Sequence, residues 1–271
     1  MTSKTLPRLG PIVGAALALC ALCGCANTIT YQNARVEDPW QVTIMPMGLV
    51  TNASTGARPT PTLPPPDGEV ESSFDVLPGQ ELGLNWQAVR VELGLPGRLQ
   101  FHAALWNAVL GLEAGLKWQW LGDQDTWLNS ALYLHRRLDH FDADPVAACL
   151  ALRSTQFDWL WTVGRANGWQ GTLIGRVTHT DVAYEASQIT THEQEDGTTS
   201  QAISRSLKAS GDYWQVGAAV GLTTPPAAFW GTSSALHVEL ALLRWLPQSG
   251  FDAEPGWTLQ LGVGWRMGQG E

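Results

Sequence analysis

Charged residues, usable cysteines and long apolar runs are all scarce in this chain. Asp, Glu, Lys and Arg make up 15% of its 271 residues, well under the roughly 25–35% typical of a surface built for water. Twenty-five acids against 16 bases leave a formal charge of −9. Such a chain repels phosphate backbones, which excludes nucleic acid as a partner. Of the four cysteines, Cys20, Cys23 and Cys25 lie near the start and only Cys149 lies in the body. That arrangement excludes a disulfide framework and a cysteine metal site. The one sustained apolar run, Ile12 to Leu22, is too short to cross a bilayer as a helix. No long 3.6-residue period is present, so a helical bundle is excluded. There is no glycine-rich phosphate loop and no Gly-x-Ser-x-Gly elbow, so no cofactor is expected.

What is present begins with an export signal. Lys4 and Arg8 give residues 1–24 a positive n-region, and Ile12 to Leu22 gives them an apolar core. Leu22-Cys23-Gly24-Cys25 resembles the lipobox of bacterial lipoproteins, with Cys23 where a small residue is usual. The resemblance implies cleavage after Gly24 and acylation of Cys25, palmitate included. Ala26 in place of Asp implies sorting to the outer membrane. Cleavage removes Lys4 and Arg8 and takes the charge from −9 to about −11. Acyl chains anchor at about 0.8 kcal/mol per buried CH₂. Residues 25–38 read as the lipidated N-terminus and a linker, and residues 39–271 as one β domain.

Alternation with period two dominates that domain. Trp257, Leu259, Leu261, Val263, Trp265 and Met267 share one face, against Thr258, Gln260, Gly262, Gly264 and Arg266 on the other. Leu112, Ala114, Leu116, Trp118 and Trp120 oppose Glu113, Gly115, Lys117 and Gln119 in the same way. One face is wholly apolar over 9–11 residues, about what a strand needs to cross hydrocarbon. The pattern predicts an all-β, antiparallel transmembrane barrel. We place ten strands, with eight or twelve as alternatives: 39–50, 82–95, 98–106, 110–121, 126–136, 154–164, 168–183, 206–222, 234–245 and 257–267. The phase shift near Ala88–Val89 predicts a β-bulge. An even count puts both chain ends on one side, with periplasmic turns at 96–98, 122–125, 165–168 and 223–233. Extracellular loops are then expected at 51–81, 137–153, 184–205 and 246–256. Fourteen Trp residues, recurring at strand ends, suit an aromatic girdle. The competing fold is a soluble lipid-anchored β-sandwich or barrel, with its apolar faces packed inward and its polar faces in water.

Gly94-Leu95-Pro96-Gly97-Arg98-Leu99-Gln100-Phe101 resembles a Gly-Leu-Thr-Asp-Arg-Leu-Glu-Leu hairpin of outer-membrane barrels grouped with phenol-degradation transporter-like proteins. Gly115-Leu116-Lys117-Trp118 resembles a strand of the same group. Asn33-Ala34-Arg35-Val36 with Trp40-Gln41-Val42 resembles the first strand of related lipoproteins. The resemblance implies a barrel and a path for small or hydrophobic solutes, and it carries over no functional residue.

The polar faces carry Arg90, Glu92, His102, Glu113, Lys117, Asp158, Arg176, His237, Glu239 and Arg266. In a ten-stranded barrel these point into the lumen, where both signs can pair or set selectivity. No catalysis and no metal are expected. Outer-membrane lipid and a small solute are the expected partners, with barrel-assembly and lipoprotein-sorting machinery during biogenesis. One alternative is an outer-membrane enzyme using His135, His140 and nearby aspartates at the rim. Another is a periplasm-facing lipoprotein that binds lipid or a partner without spanning.

Overall fold

A computed structural model describes residues 28–55, 58–61, 74–77, 80–106, 111–143, 148–193, 199–229, 232–252 and 254–268. The expected signal peptide and Cys25 lie outside these residues. Fourteen strands follow one another: β1 (Val42–Thr55), β2 (Arg58–Pro61), β3 (Phe74–Leu77), β4 (Gln80–Leu95), β5 (Leu99–Trp106), β6 (Gly111–Leu121), β7 (Leu128–Ala143), β8 (Ala148–Gly164), β9 (Gln170–Glu193), β10 (Thr199–Thr223), β11 (Ala227–Phe229), β12 (Thr232–Pro247), β13 (Phe251–Asp252) and β14 (Gly256–Gly268). No helix occurs among the described residues. Ten strands form a closed antiparallel wall in the order β1, β4 to β10, β12 and β14, with β1 sealing against β14. Closure removes the free edges that a lone sheet would expose. Thr43 of β1 pairs with Gly268 of β14, so both ends of the wall meet at one rim. We call this rim, which also carries the short turns, the inner mouth.

The turn at Pro96–Arg98 shows why that hairpin is tight. Gly97 and Arg98 both have positive φ, 80° and 61°. Glycine takes this region without a Cβ penalty. The β4–β5 register shifts between Gln87 and Val89, the bulge that the phase change predicts.

The wall has its apolar face outward. Leu112 and Leu134 are 57% and 54% exposed, whereas Glu113 and Lys117 between them are buried. Val220, Leu240 and Leu261 form an outward row across β10, β12 and β14. This is the reverse of the soluble alternative, whose Gln, Lys and Glu would be outermost. Exposed apolar surface on this scale requires a non-aqueous surround. Trp118 and Trp120 of β6, Trp159 of β8, and Trp127 and Trp169 just before β7 and β9 stand exposed near the inner mouth. Trp161 joins them, meeting Trp120 edge-on at 5.7 Å. Amphipathic rings of this kind favour a membrane interface.

Three expected loops are corrected. The described residues of 51–81 all lie in β1 to β4, and residues 137–153 and 184–205 are mostly strand: β7 runs on to Ala143, β8 starts at Ala148, and β9 and β10 pair from Glu193↔Thr199 downward with one register shift between Ile203 and Arg205. Beyond the hydrocarbon both faces of a strand meet water, so the apolar–polar alternation stops. Backbone pairing does not depend on that alternation and continues.

Candidate functional site: the strapped lumen

A segment read from the sequence as a linker fills the barrel. Thr28 to Val36 are all buried, and they run through the lumen toward the inner mouth before Trp40 turns the chain into β1. We call Thr28–Glu37 the strap. It forms no strand, so its backbone polar groups must be satisfied by the wall.

Many of them are, level by level. At the inner mouth the Arg35 guanidinium donates to the carbonyls of Asp123, Gln124, Thr126 and Gly164, at 2.5–2.7 Å. These belong to the β6–β7 turn and the end of β8. In that turn Asp123 accepts the backbone N–H of Thr126, which holds its carboxyl below the usual range. One level deeper, Lys117 Nζ donates to Gln32 Oε1 and to the carbonyls of Asn33 and Arg35, all on the strap. Near mid-depth, Glu239 Oε2 accepts the backbone N–H of Thr30 and of Tyr31. Deepest, the Thr28 N–H and hydroxyl donate to Gln260 Oε1, and its carbonyl accepts from Gln156.

The charged residues named from the sequence converge on the strap. Arg176 donates twice to Asp158, at 2.9 and 2.8 Å, once to Glu239 at 2.7 Å, and to the Thr30 hydroxyl. Arg90 spans Glu113 at 2.7 Å and the Thr30 carbonyl. Arg266 bridges Glu37 of the strap and Glu92 of β4. His237 receives or donates a bond to the Thr223 hydroxyl at 2.7 Å. His102, Glu113 and His135 come together on the wall, their ligand atoms within 4.8 Å of one another. His135 and His140 do not form a pair, because His135 is buried in the lumen and His140 is exposed.

Room for the strap comes from glycine. A Cβ on Gly262 would lie 2.4 Å from Ile29, and one on Gly264 would lie 2.8 Å from Tyr31. The glycines of the last strand's polar face are therefore the sequence signal of a seated segment, legible only once a second chain section is known to pass them.

Above the strap the lumen changes character. Trp106, Leu152, Val182, Tyr213, Leu243 and Trp245 are buried toward the outer ends of their strands. Arg137, Asp139, Ser154 and Thr180 are buried at the same levels, with Arg137 paired to Asp139 and lying over the Trp106 ring, so the outer half is lined by aromatic and aliphatic side chains around one ion pair, and the inner half is charged and strapped. A polar vestibule of about 410 Å³ opens at the inner mouth, bordered by Arg35, Glu37, Gln41 and Arg266.

No protein-family profile matches the chain, and no curated protein sequence matches it. Among solved structures, a deltaS2 mutant of the TodX monoaromatic hydrocarbon channel aligns at 7% identity. That alignment covers 89% of this chain and 93% of that one, with a TM-score of 0.19. So low a score carries no argument about function.

Proposed function

We propose that this protein is a bacterial outer-membrane barrel lipoprotein whose lumen is a narrow path for small apolar molecules, closed whenever its own strap is seated. The observation that carries the reading is the strap itself: one segment occupies the polar inner half of the lumen, while aromatic and aliphatic side chains surround a single Arg137–Asp139 pair in the outer half. The outward apolar band and the short turns at one rim support an outer-membrane setting, reached through barrel-assembly and lipoprotein-sorting machinery. The reading is transport; the rim-enzyme alternative loses its cluster, since His135 and His140 face opposite ways. A ten-stranded lumen is too narrow for a wide aqueous pore, so selectivity falls to its lining.

Acylation of Cys25 bears on the gate. Two residues, Ala26 and Asn27, separate it from Thr28, three Cα steps or at most about 11 Å of chain. Thr28 bonds to Gln260, eight positions along β14 from Gly268 at the inner mouth. At about 3.3 Å per residue and the usual strand tilt, that is roughly 20 Å of depth. A lipid anchor in the periplasmic leaflet and a seated strap therefore exclude one another. In this reading anchoring favours the withdrawn strap.

Planar-bilayer recording tests the proposal. Cys25→Ala protein is expected to be the most closed, acylated wild type intermittently open, and a chain lacking residues 28–37 the most open. Should that deletion hinder folding, Gly262→Leu unseats the strap through Ile29 without removing any of it. If the folded strapless and Gly262→Leu barrels both stay silent and pass no uncharged aromatic solute into vesicles, the transport reading is wrong.

A further inference from the structure

We propose that His102, Glu113 and His135 form a binding site for one divalent transition-metal ion of the zinc class, set into the lumen wall. The three lie on adjacent strands, and the ladder explains why they meet. His102 of β5 pairs with Gly115 of β6, which pairs with His135 of β7. Gly115 has no side chain, so the two imidazoles lean over it, with ring centroids 6.0 Å apart. A Cβ there would lie 2.4 Å from both His102 Cε1 and His135 Cβ. Glu113, two residues away on the same face of β6, brings its carboxylate to the gap.

The spacing suits one ion. Glu113 Oε1 lies 2.9 Å from His102 Nε2 and 3.6 Å from His135 Nδ1. Ligand atoms about 2.0–2.1 Å from a tetrahedral zinc are about 3.3 Å from one another, between the two observed separations. A second observation points to a ligand. The His135 side chain is 4% exposed, yet neither of its ring nitrogens has a hydrogen-bond partner. A buried imidazole with both nitrogens unbonded is costly, and metal coordination would satisfy one of them.

The surroundings supply outer support. Trp106 Nε1–H donates to Glu113 Oε2 at 2.7 Å, Arg90 donates to Oε1, and the Tyr133 hydroxyl lies 3.0 Å from His102 Nδ1, the nitrogen left for it once an ion takes Nε2, from which it is now 2.8 Å. Such contacts orient ligands. Arg90 also offsets the charge of Glu113, which disfavours Ca²⁺ and Mg²⁺, whose binding rests on oxygen charge. Two imidazoles favour zinc, copper or nickel. Three protein ligands leave a fourth tetrahedral position for water or another small ligand.

The test uses full-length protein in detergent, its folding checked by heat-modifiable gel migration, stripped with chelator and reloaded with Zn²⁺ or Co²⁺. About one ion per folded chain is expected, together with the visible bands of four-coordinate Co²⁺. His102→Gln and His135→Gln should abolish stoichiometric loading, and Gly115→Ala should lower affinity by closing the gap. Trp106→Phe should weaken binding about 10–100-fold. His140→Gln, an exposed control, should load normally. If the ligand variants fail to fold, X-ray absorption of Co²⁺-loaded wild type must still read two imidazole nitrogens and a carboxylate oxygen. Folded wild type that takes up no stoichiometric ion, or that shows a different ligand set, overturns the site, as does full loading of folded His102→Gln or His135→Gln.

Discussion

Arg176→Ala is expected to destabilise the barrel by about 3–5 kcal/mol, the cost of leaving buried charge without its partner. Arg176 is fully buried and is the cation shared by Asp158 and Glu239, which reach it from β8 and β12. Removing it leaves the two carboxylates with hydrogen bonds from Thr30, Tyr31 and Gln156 alone among the described residues, and His237 at 4.0 Å from Glu239. Arg176→Lys should recover part of the loss, because an ammonium cannot reproduce the fork that grips Asp158 while reaching Glu239. Denaturant midpoints of the detergent-folded barrel, followed by heat-modifiable migration, supply the measurement. A cost below about 1 kcal/mol would mean that water hydrates these carboxylates, and hence that the strapped lumen is wet.

Leu240→Arg should cost about 2–4 kcal/mol in lipid, the penalty of a cation on the lipid face at mid-membrane. Leu240 faces outward between Val220 of β10 and Leu261 of β14, halfway along its strand. Trp40→Arg at the inner rim should cost only about 0–1 kcal/mol, since a charge there reaches the interface. Trp40 is 69% exposed and precedes the first strand. The discriminating quantity is the difference between the two variants in folding equilibria with vesicles. Equal costs would show that no hydrocarbon band surrounds the wall. That would remove the membrane reading and the gating argument built on it.

The barrel was legible because its wall residues answer to a local rule. Leu259, Leu261 and Val263 alternate with Gln260, Gly262 and Gly264, and that period states both the strand and its two solvents. Even the bulge at Gln87–Val89 left a trace, as a slip of phase. The outer extensions of β9 and β10 left none, because the alternation fades where both faces are wet.

The ten polar-face residues were likewise readable one at a time, but their partners were not. Nothing in the spacing of Arg176, Asp158 and Glu239 announces a shared ion pair, and nothing in His102, Glu113 and His135 announces a common point. Each set is assembled across neighbouring strands by register. His135 and His140 show the converse: five residues apart, they looked like one rim cluster, and an odd separation on a strand sends them to opposite faces.

By itself the sequence determined the strand period, the outward apolar face and the polar inward face, since each depends on residues one or two apart. Only the tertiary structure decided what fills the lumen. The strap has no period, its partners lie 60 to more than 230 residues away along the chain, and its fit depends on side chains that Gly262 and Gly264 lack. Wall closure and register bring those distant donors and acceptors within reach, and no local pattern encodes that meeting.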